Sequence, residues 1–296
     1  MPPGLALFLV TAVWASSFVV SKHVVRVVPP VPYLAMRYGL AALLLLALFG
    51  PRLWAARGDR ALRRDGLILG ALNAIALCFQ LVGQMYTTAS KSAFITSLYM
   101  PLVPLFGLLL YKTQSSPPQL VAVAIASVGL LLLTYPTGGA TVNPGDLLTV
   151  VSAILYAITI LETSRRSRTN DSRLLSTMQV LVSGVLFGGL LGLSHVGDVR
   201  VVPDWAITTL RSPMNGSVLV AVLYMAMICT VLTFLVQNWA MSWMHVTHAT
   251  IIFSLEAPIA TAIGLLVDGV EEWPGPRGAV GAGMMLMAVG LSRRST

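Results

Sequence analysis

Residues 11–18 read TAVWASSF, and residues 152–159 read SAILYAIT. Trp14 and Tyr156 lie 142 residues apart, and each is followed by alanine. Further pairs of identical residues recur at offsets of 142 or 157 residues: Met36 with Met178, Gln80 with Gln237, Ser97 with Ser254, and Pro101 with Pro258. The chain therefore contains two related halves, which meet near residue 140.

The composition is that of a protein embedded in lipid. The 296 residues are 56% hydrophobic and 10% charged, and the mean hydropathy is +0.81. Soluble domains usually carry about 25% charged residues. Apolar runs near the ~20 residues that cross a bilayer recur along the chain, without the alternation of a barrel strand. Because backbone in lipid must satisfy its own hydrogen bonds, we predict an all-α integral membrane protein.

We predict ten transmembrane helices, five in each half. Five is an odd number, so the second half enters the membrane from the opposite side and the repeats are inverted. The first repeat spans residues 1–137 and the second 146–296, with a Pro/Gly-rich linker at 135–145 (YPTGGATVNPG). The predicted helices are about 4–20, 31–49, 66–85, 92–111, 119–134, 146–162, 174–193, 216–240, 246–267 and 274–291.

Basic residues are divided unequally between the two predicted membrane sides. Twelve flank the helices on one side and six on the other, so the positive-inside rule predicts that both termini are cytoplasmic. The net charge of +8 does not indicate nucleic-acid binding, because these short clusters lack interleaved aromatic residues. The larger set is Arg52, Arg57, Arg60, Arg63, Arg64, Lys112, Arg165, Arg166, Arg168, Arg173, Arg293 and Arg294.

Several motifs resemble the EamA repeats of the drug/metabolite transporter superfamily. They are the Trp-Ala pair at Trp14, the run Met36-Arg37-Tyr38, the stretch SLEAPIATAIGLLVDGVE at 254–271 with its Glu-Pro element, and Gly290. The resemblance covers nearly the whole chain. Within the family it is most similar to the YddG group of bacterial inner-membrane exporters of aromatic and other amino acids. The resemblance implies a multi-pass inner-membrane protein with an amino acid as its small-molecule substrate.

Buried amides are the first candidate cavity residues. Gln80 and Gln84 share a face of the predicted third helix, and Gln237 repeats Gln80 in the eighth. An amide in hydrocarbon costs several kcal/mol unless it has a partner, so these side chains face protein or water. They either line a substrate cavity or join neighbouring helices by hydrogen bonds.

Aromatic and hydroxyl residues share faces of the two equivalent first helices. Trp14 and Ser17 lie on one face, and Tyr156 and Thr159 lie on the matching face of the sixth helix. An aromatic plane beside hydroxyls suits a solute with an apolar side chain and polar ends. Ordinary packing of large rings against small neighbours is the alternative.

Tyr99 and Glu256 occupy equivalent places in the fourth and ninth helices, close to Pro101 and Pro258. The missing N–H groups of these prolines predict bends, and unwound backbone near the midplane often forms a ligand site. A tolerated kink is the alternative. Glu256 is expected to bind a substrate ammonium, carry a coupling proton or tie its helix to a neighbour. Because Tyr99 replaces it in the first half, no acid is required in both copies.

Arg37 lies about 9 Å of helical rise from the end of the second helix. We expect its side chain to snorkel to the interface, with binding of a substrate carboxylate as the alternative. His245 and His248 have the spacing of two metal ligands on a helix, but the sequence offers nothing nearby to complete a metal site. Cys78 and Cys229 fall inside predicted helices, where no disulfide framework is expected.

The sequence favours a secondary carrier over an enzyme or a pump. It lacks the HExxH, paired-aspartate and Gly-rich phosphate motifs of intramembrane enzymes and ATP-driven pumps. Two inverted halves predict alternating access around a shared site. We expect no cofactor, no metal and no catalytic residue. A monomer is expected, with a dimer as the alternative. Another metabolite, a drug, a nucleotide sugar or a lipid is the alternative substrate, and proton coupling is left open.

Overall fold

The computed structural model describes residues 1–87, 89–134, 143–193, 216–267, 269 and 275–292. All regular structure within these residues is helical. In chain order the helices are α1 Pro3–Val24, α2 Pro30–Ala55, α3 Arg60–Gln84, α4 Ala89–Ser97, α5 Tyr99–Tyr111, α6 Pro117–Thr134, α7 Pro144–Arg166, α8 Ser172–Leu193, α9 Gly216–Ala226, α10 Thr233–Met241, α11 Val246–Ser254, α12 Glu256–Val267 and α13 Gly275–Ser292.

The described helices have the length and apolarity of membrane spans. Eight spans are long and apolar enough to cross a bilayer, and Pro117–Leu133 forms a shorter apolar helix. Three of the eight spans are built from more than one helical segment. This confirms the predicted all-helical architecture. The predicted second helix was too short, because α2 continues to Ala55.

Capping residues explain where two helices begin. The Asp59 side chain accepts hydrogen bonds from the backbone N–H groups of Ala61 and Leu62, at 2.9 and 3.0 Å, so α3 begins at Arg60 and not near residue 66. Asn143 and Asp146 form a reciprocal capping box at the start of α7. The predicted linker 135–145 was therefore wrong at its end, and its part 135–142 lies outside the described residues.

Two spans are interrupted at equivalent places. Leu98 separates α4 from α5, and Leu255 separates α11 from α12. Pro101 and Pro258 lie three residues further on, where each leaves the carbonyl four residues earlier without its helical N–H partner. At both breaks the leucine N–H turns to the carbonyl three residues earlier, at 3.1 Å. The bends predicted from the prolines thus fall directly before Tyr99 and Glu256.

A third irregularity was not predicted. The span that α9 and α10 form contains a π-helical turn at Met227–Leu232. The Thr230 hydroxyl donates to the Met225 carbonyl five residues earlier, at 2.8 Å. Such turns are frequent at functional sites, because the inserted residue leaves a carbonyl open to another donor. Here the Cys229 carbonyl accepts hydrogen bonds from the side chains of Trp14 and Arg37.

The two halves of the chain interlock. The helix α1 packs against α4, α10, α11 and α12, so it contacts the interrupted span of the second half. The helix α7 packs against α3, α4 and α5, and so contacts the interrupted span of the first half. This exchange brings Trp14 of α1 and Tyr156 of α7, with the residues that follow both breaks, to a common centre.

The pair α6 and α13 makes an unusually close contact. A methyl group added to Gly129 would lie 2.6 Å from the Gly281 carbonyl oxygen, and one added to Gly281 would lie 2.3 Å from the Gly129 carbonyl oxygen. The two backbones therefore touch. Small residues permit such approach between helices in membranes.

A buried polar network joins α3, α5 and α7 at one end of the bundle. Arg166 donates to the carboxylates of both Asp65 and Glu162. The Asn170 amide donates to Asp65 at 2.9 Å, and the Tyr111 hydroxyl donates to Glu162. Side chains of Asp65 and Glu162 are only 5% and 7% exposed. By the predicted topology, this is the cytoplasmic end.

Candidate functional site

A cavity lies between the helices that the exchange brings together. Its volume is about 90 Å³, which is enough for several water molecules. Its walls are mixed, with aromatic rings beside amides, hydroxyls and two charged residues. The lining residues are Trp14, Ser17, Phe18, Arg37, Tyr38, Asn73, Leu77, Gln80, Thr96, Tyr99, Tyr156, Thr159, Ile160, Gln179, Phe234, Gln237, Phe253 and Glu256.

Eight of the nine predicted site residues line this one cavity: Trp14, Ser17, Gln80, Tyr99, Tyr156, Thr159, Gln237 and Glu256. The ninth, Gln84, does not. It lies one helical turn beyond Gln80, and its buried amide donates to the Phe18 carbonyl of α1 at 2.8 Å. Gln84 therefore has the interhelical role that was the alternative to cavity lining.

Trp14 is held in place by the π-helical turn. Its indole Nε1 donates to the Thr233 hydroxyl at 3.1 Å and to the Cys229 carbonyl at 3.3 Å. Its ring packs against Phe253 and Phe234, with centroids 5.6 and 6.4 Å away. Aromatic pairs at these separations add stabilisation beyond area burial. The cavity thus has one rigid aromatic wall.

The two repeat-related glutamines differ in their surroundings. Gln80 donates through Nε2 to the Thr96 hydroxyl at 3.2 Å and accepts from the Tyr156 hydroxyl at 3.1 Å. Gln237 is 6% exposed, and its amide makes no hydrogen bond to another described residue. Gln80 therefore joins α3 to α4 and α7. The Gln237 amide lines the cavity without a hydrogen bond to another described residue.

Arg37 is buried inside the bundle, so the expectation that it snorkels to the interface was wrong. The residue is 5% exposed, and its Nε donates to the Thr230 hydroxyl at 2.9 Å. Its Nη2 donates to the Cys229 carbonyl at 3.3 Å. Its guanidinium carbon lies 5.4 Å from the centre of the Tyr38 ring. Within the described part of the chain, Arg37 forms no ion pair.

Glu256 lies on the same cavity and is 6% exposed. Its carboxylate makes no hydrogen bond or ion pair with any other residue that the structure describes. Glu256 is the first residue of α12, directly after the break at Leu255. Tyr99 occupies the equivalent start of α5 and is 4% exposed.

Three further lining residues were not among those predicted from the sequence: Phe234, Phe253 and Gln179. Phe234 and Phe253 belong to apolar runs in which any residue could face lipid or protein. Gln179 is an intramembrane amide, like those that were chosen, but its counterpart in the other half, 142 residues earlier, is Arg37 and not a second amide. Its position one residue after Met178 follows the Met36-Arg37 pair, and this relationship would have predicted it.

Comparison with protein families shows to which family this chain belongs. The model of the EamA-like transporter family matches residues 2–135 and 143–294, which is nearly the whole chain. The chain belongs to the EamA-like transporter family. Membership of this drug/metabolite transporter family, together with the apolar spans, makes the chain a multi-pass membrane transporter for a small-molecule substrate.

Two archaeal proteins resemble this EamA transporter along most of their length. Both come from Archaeoglobus fulgidus and are described as uncharacterised transporters. One is 28% identical over 285 residues, covering 96% of this chain and 83% of the relative. The other is 25% identical over 267 residues, covering 88% and 86%.

A solved crystal structure has the same fold as this EamA transporter. It covers 99% of this chain and 96% of its own, with a TM-score of 0.70 and 16% sequence identity. At this identity the likeness concerns the fold alone.

Proposed function

We propose that this transporter carries α-amino acids, as the YddG group does, and exports them across a bacterial inner membrane. The observation that carries the proposal is that Arg37 and Glu256 line one cavity, and neither forms an ion pair with another described residue. A buried charge without a partner is costly. A ligand that supplies both missing charges would offset this cost.

An α-amino acid supplies both charges at a fixed short separation. Its carboxylate would accept from Arg37, whose planar guanidinium favours carboxylates. Its ammonium would pair with Glu256. The side chain would lie against Trp14, whose ring and aromatic neighbours tolerate bulky apolar groups. We assign the remaining polar contacts to Ser17, Gln80, Tyr99, Tyr156, Thr159 and Gln237.

The charge of the cavity disfavours a nucleotide sugar. Arg37 is the one basic residue among the described lining residues. A diphosphate brings at least two negative charges, and its recognition usually requires several Arg or Lys side chains. The single Arg and single Glu instead favour a substrate with no net charge.

We propose alternating access as the mechanism, with ten spans in two inverted repeats and both termini in the cytoplasm. The breaks at Leu98 and Leu255 are the proposed hinges, one in each half. Because each break directly precedes Tyr99 or Glu256, a change of hinge angle would move a cavity residue. A monomer contains every residue that this mechanism needs.

Binding of substrate analogues tests the two charge assignments separately. Calorimetry in detergent would compare phenylalanine, phenethylamine, which lacks the carboxylate, and 3-phenylpropionate, which lacks the ammonium. The variants are Arg37→Gln and Glu256→Gln, with the exposed Arg57→Gln as matched control.

We expect the unmodified protein and Arg57→Gln to prefer phenylalanine to both analogues. Arg37→Gln would lose the preference over phenethylamine, and Glu256→Gln would lose the preference over 3-phenylpropionate. Equal binding of all three ligands by the unmodified protein would refute the amino-acid assignment. Flux of labelled phenylalanine and threonine into liposomes, with and without a pH gradient, would then test transport and proton coupling.

A further inference from the structure

A second cavity opens at the start of α1, apart from the central one. Its volume is about 920 Å³. Its walls come from the first turn of α1, the start of α6 with the segment before it, the segment after α7, and the start of α11 with the segment before it. The residues that matter for its chemistry are Gly4, Leu5, Gln119, Arg168, His245 and His248.

The N-terminus of α1 has no cap. Its N-cap position is Pro2, which offers no side-chain hydrogen bond, and its first turn contains no acidic residue. The N–H groups of Gly4 and Leu5 are in the first turn, where no helical carbonyl is available. Gly4 lines the cavity, and a Cβ at this position would lie 4.0 Å from His248 Nε2. Free N–H groups and the helix dipole favour an anion here.

Gln119 is an independent indication of a ligand. Gln119 is only 2% exposed, although it lines the cavity. Its Oε1 accepts from the Ser116 N–H at 3.0 Å, which fixes the orientation of the amide. The Nε2 group then points away from this bond, and it donates to no other described residue. The Ser116 hydroxyl on the same wall is buried and has no hydrogen-bond partner.

The cavity also carries positive charge. Arg168 donates through Nη2 to the Met244 carbonyl at 2.9 Å, which holds the guanidinium at the wall. Burial and the nearby Arg168 lower the pKa of His245. His248 is 5% exposed, and its Nδ1 lies 2.7 Å from the Ser292 hydroxyl oxygen. No acidic residue is present among the lining residues that the structure describes.

We propose that this second cavity binds a phosphate group through Arg168, Gln119 and the first turn of α1. A phosphate has several acceptor oxygens and negative charge, which matches a wall of donors without an acid. The phosphate belongs either to a lipid headgroup or to free inorganic phosphate. Trp243 at the rim is 71% exposed and Leu5 is 46% exposed, as in residues at a membrane interface. The proposal is independent of what the central cavity carries.

Native mass spectrometry of the full-length protein tests the lipid source. It would compare retention of phosphatidylglycerol with that of a galactosyl diacylglycerol, which has the same acyl chains and no phosphate. The variants are Arg168→Gln and Gln119→Leu. The matched control is Arg173→Gln, an exposed arginine five residues along the chain and outside the cavity. Thermal stability with added inorganic phosphate, against chloride at equal ionic strength, tests the free anion.

We expect phosphatidylglycerol to be retained in preference to the glycolipid. Both cavity variants would weaken that retention about tenfold, and Arg173→Gln would not. A stabilisation by inorganic phosphate that the same variants abolish would instead assign the site to the free anion. Equal retention of the two lipids together with no effect of phosphate would overturn the proposal. So would cavity variants that behave like Arg173→Gln in both measurements.

Discussion

The Arg166 guanidinium donates to the Asp65 carboxylate, and this contact joins α7 of the second half to α3 of the first. Both side chains are largely buried, with 16% and 5% exposed. The pair is therefore a polar connection between the halves inside an apolar bundle.

Asp65→Asn should destabilise the folded protein by about 3 kcal/mol, because it leaves a buried arginine with one carboxylate fewer. Unfolding in mixed detergent micelles would measure the change. Arg165→Ala is the control, since that side chain is 55% exposed and its ion pair with Glu162 is long, at 3.4 Å. We expect the control to change stability by less than about 1 kcal/mol. Equal effects of the two substitutions would contradict the buried role of Asp65.

Trp14→Phe should cost about 1 kcal/mol of stability, because it removes the indole N–H that bonds to the π-helical turn and keeps an aromatic ring in the cavity. Substrate affinity should fall with it, since the ring is no longer oriented. Trp54→Phe is the control, because Trp54 is 71% exposed. Calorimetric binding and thermal unfolding of both variants measure the two effects. Unchanged binding in Trp14→Phe would show that the hydrogen bond does not position the wall.

Gly281→Ala should destabilise by about 1 to 3 kcal/mol, since the new methyl group would lie 2.3 Å from the Gly129 carbonyl oxygen and force the helices apart. Gly283→Ala, two residues further along α13, meets nothing within 4 Å. That control should be neutral or stabilising by up to about 1 kcal/mol, as alanine favours the helix. Thermal unfolding would decide, and a neutral Gly281→Ala would mean that the two helices readily separate.

Pro258→Ala should restore an N–H donor for the Ser254 carbonyl and favour a continuous helix across Leu255. We expect transport into liposomes to fall severalfold while stability stays equal or rises. Pro117→Ala is the control, because that proline is the exposed first residue of α6, where its missing N–H is not needed. Wild-type transport by Pro258→Ala would exclude a hinge at this break.

Sequence patterns were sufficient for the all-helical membrane architecture and for most of the cavity residues. Apolar run length determines where a helix can cross lipid, and the duplication identified Trp14, Tyr156, Gln80 and Gln237 as positions shared by both halves. The structure places these four around one cavity. Their role in binding a substrate stays a prediction.

The directions in which the Arg37 and Gln84 side chains face could not be predicted from the sequence. Depth along a helix suggested an interfacial arginine, but whether a side chain faces lipid or protein depends on the neighbouring helix. Arg37 turns inward because the π-helical turn presents the Cys229 carbonyl and the Thr230 hydroxyl to it. Gln84 shares a helix face with Gln80 but lies one turn further along. At that point the face packs against the α1 backbone, and Gln84 donates to the Phe18 carbonyl. Both outcomes follow from contacts between distant segments.

The contact between Gly129 and Gly281 also limits how the sequence can drift. Most packed pairs tolerate a larger residue on one side when the other side becomes smaller. Here both positions are already glycine, so neither side can shrink to make room for the other. Homologues that keep this crossing should therefore carry glycine at both places, even where the cavity residues have changed with the substrate.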